Sequence, residues 1–273
     1  MQSISRFLFI TLILASVLIQ ACSKDDSPAP DPAANLVKLT EGFATGAATK
    51  VIVYTESSAI STGYTRFFLK LQDSATGAAL NRAQVKLMPM MDMGMMKHSA
   101  PVEQPASEQP VDGLFSGAAV FIMPSMGGSW TMAYTIKNPA TGKEGTLTVP
   151  VTVSEPAKSR MKSFTSADDG QKYFVALIEP TKPTIGINDF EIGVYRKATM
   201  MSFPADSSLR FSIEPEMPTM NHGSPNNIDP AYLKNGHYKG KVNFTMTGFW
   251  RVHLDAHHGT AVADTTQYFD IEF

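Results

Sequence analysis

Short apolar-rich runs, some of them alternating with polar residues at a period of two, recur along this chain. In the first half the runs are 51–55, 66–72, 83–87, 117–122, 130–136 and 146–153. In the second half they are 173–178, 190–195, 209–213, 240–245, 250–255 and 267–273. β-Branched and aromatic residues fill them, and clusters of Gly, Pro, Asn and Ser separate them, which is the pattern of strands joined by turns. No long stretch carries a helical period. In the 250–255 run Trp250, Val252 and Leu254 alternate with Arg251, His253 and Asp255. The first trio is expected to face a core and the second to face water. Trp130, Met132 and Tyr134 form the matching inward set. Six strands in roughly 100 residues predict an immunoglobulin-like antiparallel sandwich without the cysteine pair of antibody domains.

The two halves are copies of one module. Met88-Pro89-Met90-Met91-Asp92-Met93-Gly94 matches Met217-Pro218-Thr219-Met220-Asn221-His222-Gly223 as M-P-x-M-[D/N]-x-G. Downstream, Gly113-Leu114-Phe115-Ser116-Gly117 matches Gly236-His237-Tyr238-Lys239-Gly240. Gly128-Ser129-Trp130 then matches Gly248-Phe249-Trp250, which contain the two tryptophans of the chain. Three motifs in the same order predict an internal duplication. The expected organisation is all-β, with sandwiches at 48–154 and 171–273 and a strandless linker at 155–170.

The first residues read as a targeting segment. Arg6 precedes the apolar stretch Phe7–Ile19, whose 13 residues suit a signal h-region and fall short of a bilayer core of about 30 Å. It ends Leu18-Ile19-Gln20-Ala21-Cys22, which resembles a lipobox and predicts a signal peptide over 1–21 with lipidation of Cys22. Residues 22–47 then form a tether, stiffened by the Pro/Ala-rich stretch Ser27–Ala34. Lys24-Asp25-Asp26 resembles a surface-export tag of outer-membrane lipoproteins. The expected location is the outer membrane, on its periplasmic face or at the cell surface, with the lipid anchor joining the chain to the membrane.

Composition narrows the chemistry. Lys plus Arg number 23 and Asp plus Glu 25, so the net charge of −2 gives no basic footprint for nucleic acid. A single cysteine excludes a disulfide framework, a cysteine zinc site and an iron–sulfur cluster within one chain. The abundant chemical resource is thioether sulfur, with 16 methionines, and six of the nine residues from Met88 to Met96 are methionine. Thioether and imidazole together suit monovalent copper, and methionine holds its neutral sulfur at any pH. The sparse carboxylates nearby disfavour calcium and magnesium. The candidate ligands are Met88, Met91, Met93 and His98 in copy one, and Met217, Met220, His222 and His237 in copy two. Pro89 and Pro218 lack an N–H, so both motifs are expected to leave the sheet. Met93 stands where copy two has His222, with His98 as a substitute from further along. Met217 also continues the period of Leu209, Phe211 and Ile213, which offers a packing reading without metal. His253, Asp255 and His257 share one strand face beside His258 and form a second candidate set.

The M-P-x-M-x-H core, the G-x-[F/Y]-x-G turn and the G-x-W strand together resemble the YtkA-like/FixH-like family. The resemblance spans roughly 48–153 and 171–273. It implies small extracytoplasmic immunoglobulin-like modules linked to copper handling, with an envelope or copper-handling partner protein. Met217, Pro218, Met220 and His222 match its motif directly, whereas copy one matches at Met88, Pro89 and Met91. No nucleophile elbow, H-E-x-x-H, phosphate loop or dinucleotide fingerprint is present, so a non-enzymatic role is expected. The alternative is a structural or adhesive sandwich pair whose methionine loops contact a partner protein.

Overall fold

All twelve runs fall on strands. The computed structural model describes residues 31–273, so the signal segment, Cys22 and the first part of the tether lie outside the described residues. The first half contains β1 (Val37–Ala44), β2 (Thr49–Thr55), β3 (Ile60–Ser61), β4 (Gly63–Asp73), β5 (Gln84–Asp92), β6 (Lys97–His98), β7 (Val102–Glu103), β8 (Phe115–Phe121), β9 (Ser129–Lys137), β10 (Glu144–Val151) and β11 (Val153–Ser154). The second contains β12 (Met161–Thr165), β13 (Lys172–Glu179), β14 (Gly186–Arg196), β15 (Arg210–Met217), β16 (His222–Gly223), β17 (Ile228–Lys234), β18 (His237–Phe244), β19 (Phe249–His258) and β20 (Ala261–Glu272).

The two halves share one strand order. One sandwich pairs the sheets β1-β2-β4-β8-β7 and β10-β9-β5-β6, and the other pairs β12-β13-β14-β18-β17 and β16-β15-β19-β20. Each strand of the first has a counterpart in the second, and the pairing within these four sheets is antiparallel throughout. The extra pair β3–β11 is parallel. Each sandwich has its own core, with Trp130, Met132 and Tyr134 inward in one and Trp250, Val252 and Leu254 inward in the other.

Two boundaries differ from the sequence expectation. Val37–Ala44 lies within the expected tether but is an edge strand registered on β2. Met161–Thr165 lies within the expected linker but is the edge strand registered on β13. Both are half-exposed, so neither shows the clean alternation of a strand with one buried face.

The sandwiches also share a third cluster. Val120, Met161, Phe174, Ala176, Tyr195 and Phe203 pack together with Tyr64 and Ile122. In β13 Tyr173, Val175 and Leu177 enter the second core, while Phe174 and Ala176 turn towards the first sandwich. Six consecutive residues, Tyr173 to Ile178, are therefore buried, which is what a strand covered on both faces looks like.

Candidate metal centre

Proline placement sets the geometry. Leu87, Pro89 and Met91 alternate along β5 and direct their backbone nitrogens away from β9. The Gln104 side chain accepts from the Leu87 N–H at 2.7 Å, and Met91 lies opposite His98 of β6. Pro89 sits between them, at an edge position that requires no donor. Ile213, Pro215 and Met217 repeat this in β15, with the Asp229 carboxylate accepting from the Ile213 N–H at 2.9 Å and Met217 opposite His222. Pro89 thus stays within its strand, contrary to expectation, and its structural counterpart is Pro215. Pro218 begins the following turn, as expected. The repeated unit is P-x-M, so Met91 corresponds to Met217 and His98 to His222. The apparent match of Met88 with Met217 is three residues out of register.

In sandwich one Met91 is opposite both Trp130 and His98, so all three project from the same inner face. The His98 ring meets Trp130 edge-on, with centroids 5.4 Å apart. Its Nδ1 lies 2.7 Å from the Ser99 carbonyl oxygen and its Nε2 lies 3.2 Å from Sδ of Met123. A carbonyl oxygen only accepts, so Nδ1 carries the proton of this contact. In the neutral ring the Nε2 lone pair then faces thioether sulfur, which sets two atoms capable of binding a soft metal face to face. Donation from the remote nitrogen to a backbone carbonyl is also how ligating histidines are held. A Cβ on Gly128 would stand 2.6 Å from Cε of Met91, so glycine is what lets this thioether lie against the turn.

Sandwich two repeats the frame in a more open form. The His222 ring meets Trp250 edge-on at 5.7 Å. Trp250 donates its indole N–H to the Met246 carbonyl at 3.0 Å, as Trp130 does to Met123 at 3.0 Å. Gly248 again abuts Met217, whose Cε would lie 2.8 Å from an added Cβ. His98 is buried whereas His222 is half-buried, and the hairpin from Met217 to His222 is two residues shorter than that from Met91 to His98.

The structure regroups the eight ligands read from sequence. Met91 with His98 and Met217 with His222 are cross-strand pairs. Met88 lies exposed on the outward face of β5, Met93 lies exposed in the hairpin turn, and Met220 lies exposed in the corresponding turn of copy two. Met123 and Met246 fall outside the eight residues expected from sequence, although a methionine stands shortly before the G-x-W motif in both copies. His237 does not belong to the copy-two set. It opens β18 and points outward, while Phe244 closes β18 and packs inward on Trp250 at 5.4 Å. Seven residue steps of about 3.4 Å put roughly 24 Å between those strand ends.

No protein-family model matches the chain, and no curated protein matches it in sequence. Among solved structures it is similar to domains 5–6 of the S-layer protein SbsC, at 13% identity over 87% of this chain and 98% of that one, with a TM-score of 0.29. It is also similar to invasin, a bacterial integrin-binding protein, at 10% identity over 79% of this chain and 37% of that one, with a TM-score of 0.26. Superpositions this loose carry no argument about chemistry, and the sandwich architecture rests on the strand order itself.

His237 instead joins the two sandwiches. Its Nδ1 lies 2.7 Å from Glu191 of β14 and its Nε2 lies 2.7 Å from Glu103 of β7. Glu103 also accepts hydrogen bonds from Tyr195 at 2.6 Å and Tyr64 at 2.9 Å. Arg66 and Lys239 flank the group, which lines a cleft of about 310 Å³. Burial pushes the His237 imidazole down, but the hydrogen bonds and charges of Glu103 and Glu191 outweigh it and hold its pKa above the usual value. Burial pushes the Glu103 carboxyl up, but hydrogen bonds from His237 and Tyr195 outweigh it and hold its pKa below the usual value. The raised histidine contributes stability that is full below about pH 6.5 and is lost as pH rises through its folded pKa. The lowered glutamate contributes stability that is full above about pH 4.3 and is lost as pH falls through its folded pKa. Melting of the wild type and of His237→Gln across pH is therefore expected to differ most between about pH 4.3 and 6.5, with the gap closing towards pH 9. A gap independent of pH would show that the imidazole charge plays no part.

The outward set on β19 has partners of its own. His253 pairs with Glu216 at 2.9 Å beside a shallow cavity of about 450 Å³ that Asp255 also lines. His257 is registered opposite Arg210, a cation on the same face. His258 groups with Asp168 and Asp169 and engages both ring nitrogens, with Asp168 at 2.8 Å and Ser208 at 3.1 Å.

Proposed function

We propose that this chain is a non-enzymatic extracytoplasmic lipoprotein that captures or buffers monovalent copper at the matched Met–His–Trp ends of its two sandwiches. The observation that carries this reading is the 3.2 Å approach of His98 Nε2 to Met123 Sδ, with Nδ1 committed to a carbonyl. Met91, His98 and Met123 are the ligands in sandwich one. Met217, His222 and Met246 are their counterparts in sandwich two. The chemistry of the donor set fits the ion, because thioether and neutral imidazole bind copper(I) without carboxylates. The lipid anchor at Cys22 and the outer-membrane location belong to the same reading, as does the kinship with YtkA-like/FixH-like modules.

Anaerobic titration with copper(I) is expected to reach two equivalents per chain. Tryptophan fluorescence should fall during the titration, because an indole lies against each histidine. Absence of binding, or binding that leaves tryptophan emission unchanged, would refute the assignment and move the adhesive sandwich pair to first place.

A further inference from the structure

His98 in sandwich one is buried, and exposed methionines cluster on the segments next to it. His98 is 5% exposed, so its imidazole has little direct contact with water, while Met123 beside Nε2 is half-buried. Met93-Gly94-Met95-Met96 forms the tip of the hairpin between β5 and β6, closed by the Met93 N–H to Met96 carbonyl bond at 2.9 Å. Met93, Met95 and Met96 are all exposed, and Met95 fully so. The exposed Met126 lies in the turn before β9, whose Gly128 abuts Met91 and the Asp92 carbonyl. A third segment comes from the other sandwich. The Ser99 N–H, next to His98, donates to the Met200 carbonyl at 2.9 Å, which brings the 199–202 turn and the exposed Met201 to the same end.

Exposed turn tips normally carry polar residues, and apolar side chains there gain no burial. Five exposed thioethers from three separate segments therefore need another reason. Each is a neutral, monodentate soft ligand on a flexible stem, suited to holding copper(I) briefly and releasing it to a neighbour. Lys97 is the cation at the tip, and its pairing with Asp92 at 2.8 Å offsets its charge near the route.

We propose that Met93, Met95, Met96, Met126 and Met201 form an entry site that accepts monovalent copper from solution or a donor and passes it by thioether exchange to Met91, His98 and Met123. This rests on the proposed copper reading and adds a route to it. No redox change occurs: one sulfur–copper bond forms as another breaks.

The test uses the full chain and copper(I) carried by a chromophoric chelator, with transfer followed by stopped flow and affinity by equilibrium competition. Substituting leucine at all five positions is expected to slow loading of sandwich one at least tenfold while leaving its equilibrium affinity within about twofold. The milder double variant Met95→Leu with Met96→Leu should slow loading to an intermediate degree, which covers the event that the fivefold variant folds poorly. Loading at the wild-type rate in both variants would overturn the entry site and leave the copper reading intact. Loss of affinity in step with rate would overturn it too, by making the exposed methionines the ligands themselves. If the wild type takes up no copper(I), both readings fall together.

Discussion

Copper(I) affinity at sandwich one is expected to fall at least 100-fold, about 2.8 kcal/mol, when His98→Gln is combined with Met123→Leu. His98 Nε2 and Met123 Sδ approach within 3.2 Å, so each supplies a donor atom that the replacement removes. Glutamine can still donate to the Ser99 carbonyl, and leucine nearly conserves methionine volume, so packing should change little. The expected signature is a titration with one strong equivalent, contributed by sandwich two, and unaltered near-ultraviolet circular dichroism from the tryptophans. Two equivalents at wild-type affinity would show that the buried pair is not the site. If the melt collapses as well, the pair is core packing.

Met91→Ala is expected to destabilise sandwich one by about 2–5 kcal/mol, whereas Met220→Ala should change stability by less than about 0.5 kcal/mol. The two methionines occupy the same place in the M-P-x-M string, yet Met91 is fully buried against Trp130 and Gly128 while Met220 stands exposed in a turn. Chemical denaturation of the two variants measures the difference directly. Met91→Leu separates the two roles of this side chain: it should cost less than about 1.5 kcal/mol and still lower copper affinity by removing the sulfur. Equal stability losses in the two alanine variants would mean that the register of β5 against β9 described above is wrong.

The inter-sandwich contacts bear on how such experiments are designed. Residues 171–273 taken alone would lack β12 and would expose Phe174, Ala176 and Tyr195, which face the first sandwich. The Ser99–Met200 bond joins the second sandwich to the segment that carries His98, and Glu103 on the same segment meets His237. Measurements on sandwich one are therefore best made with both sandwiches present.

Local pattern determined a large part of this protein. Short runs rich in β-branched and aromatic residues marked twelve of the strands, and where one face alone is buried those runs alternate. The paired Gly-x-Trp motifs marked the duplication, and the inward direction of Trp130 and Trp250 followed from parity. The abundance of methionine near histidine was also legible, as a choice of chemistry. Edge strands such as Val37–Ala44 and Met161–Thr165 were not legible, since half-exposed edges carry no clean alternation. The unbroken apolar run Tyr173–Ile178 did hold a sign of burial on both faces, but its cover comes from another sandwich. The cross-strand register of the candidate residues was beyond the string altogether. Met91 meets Trp130, some forty positions away, only through the pairing of β5 with β9, and Met123 reaches His98 only through the path of the loop after β8. His237 resembles a loop ligand in sequence, yet strand direction sends it to the opposite end and outward face of its sheet, where two carboxylates hold it. Sequence spacing measures distance along one strand, whereas a metal site depends on distance across strands, and non-local register is what decides that.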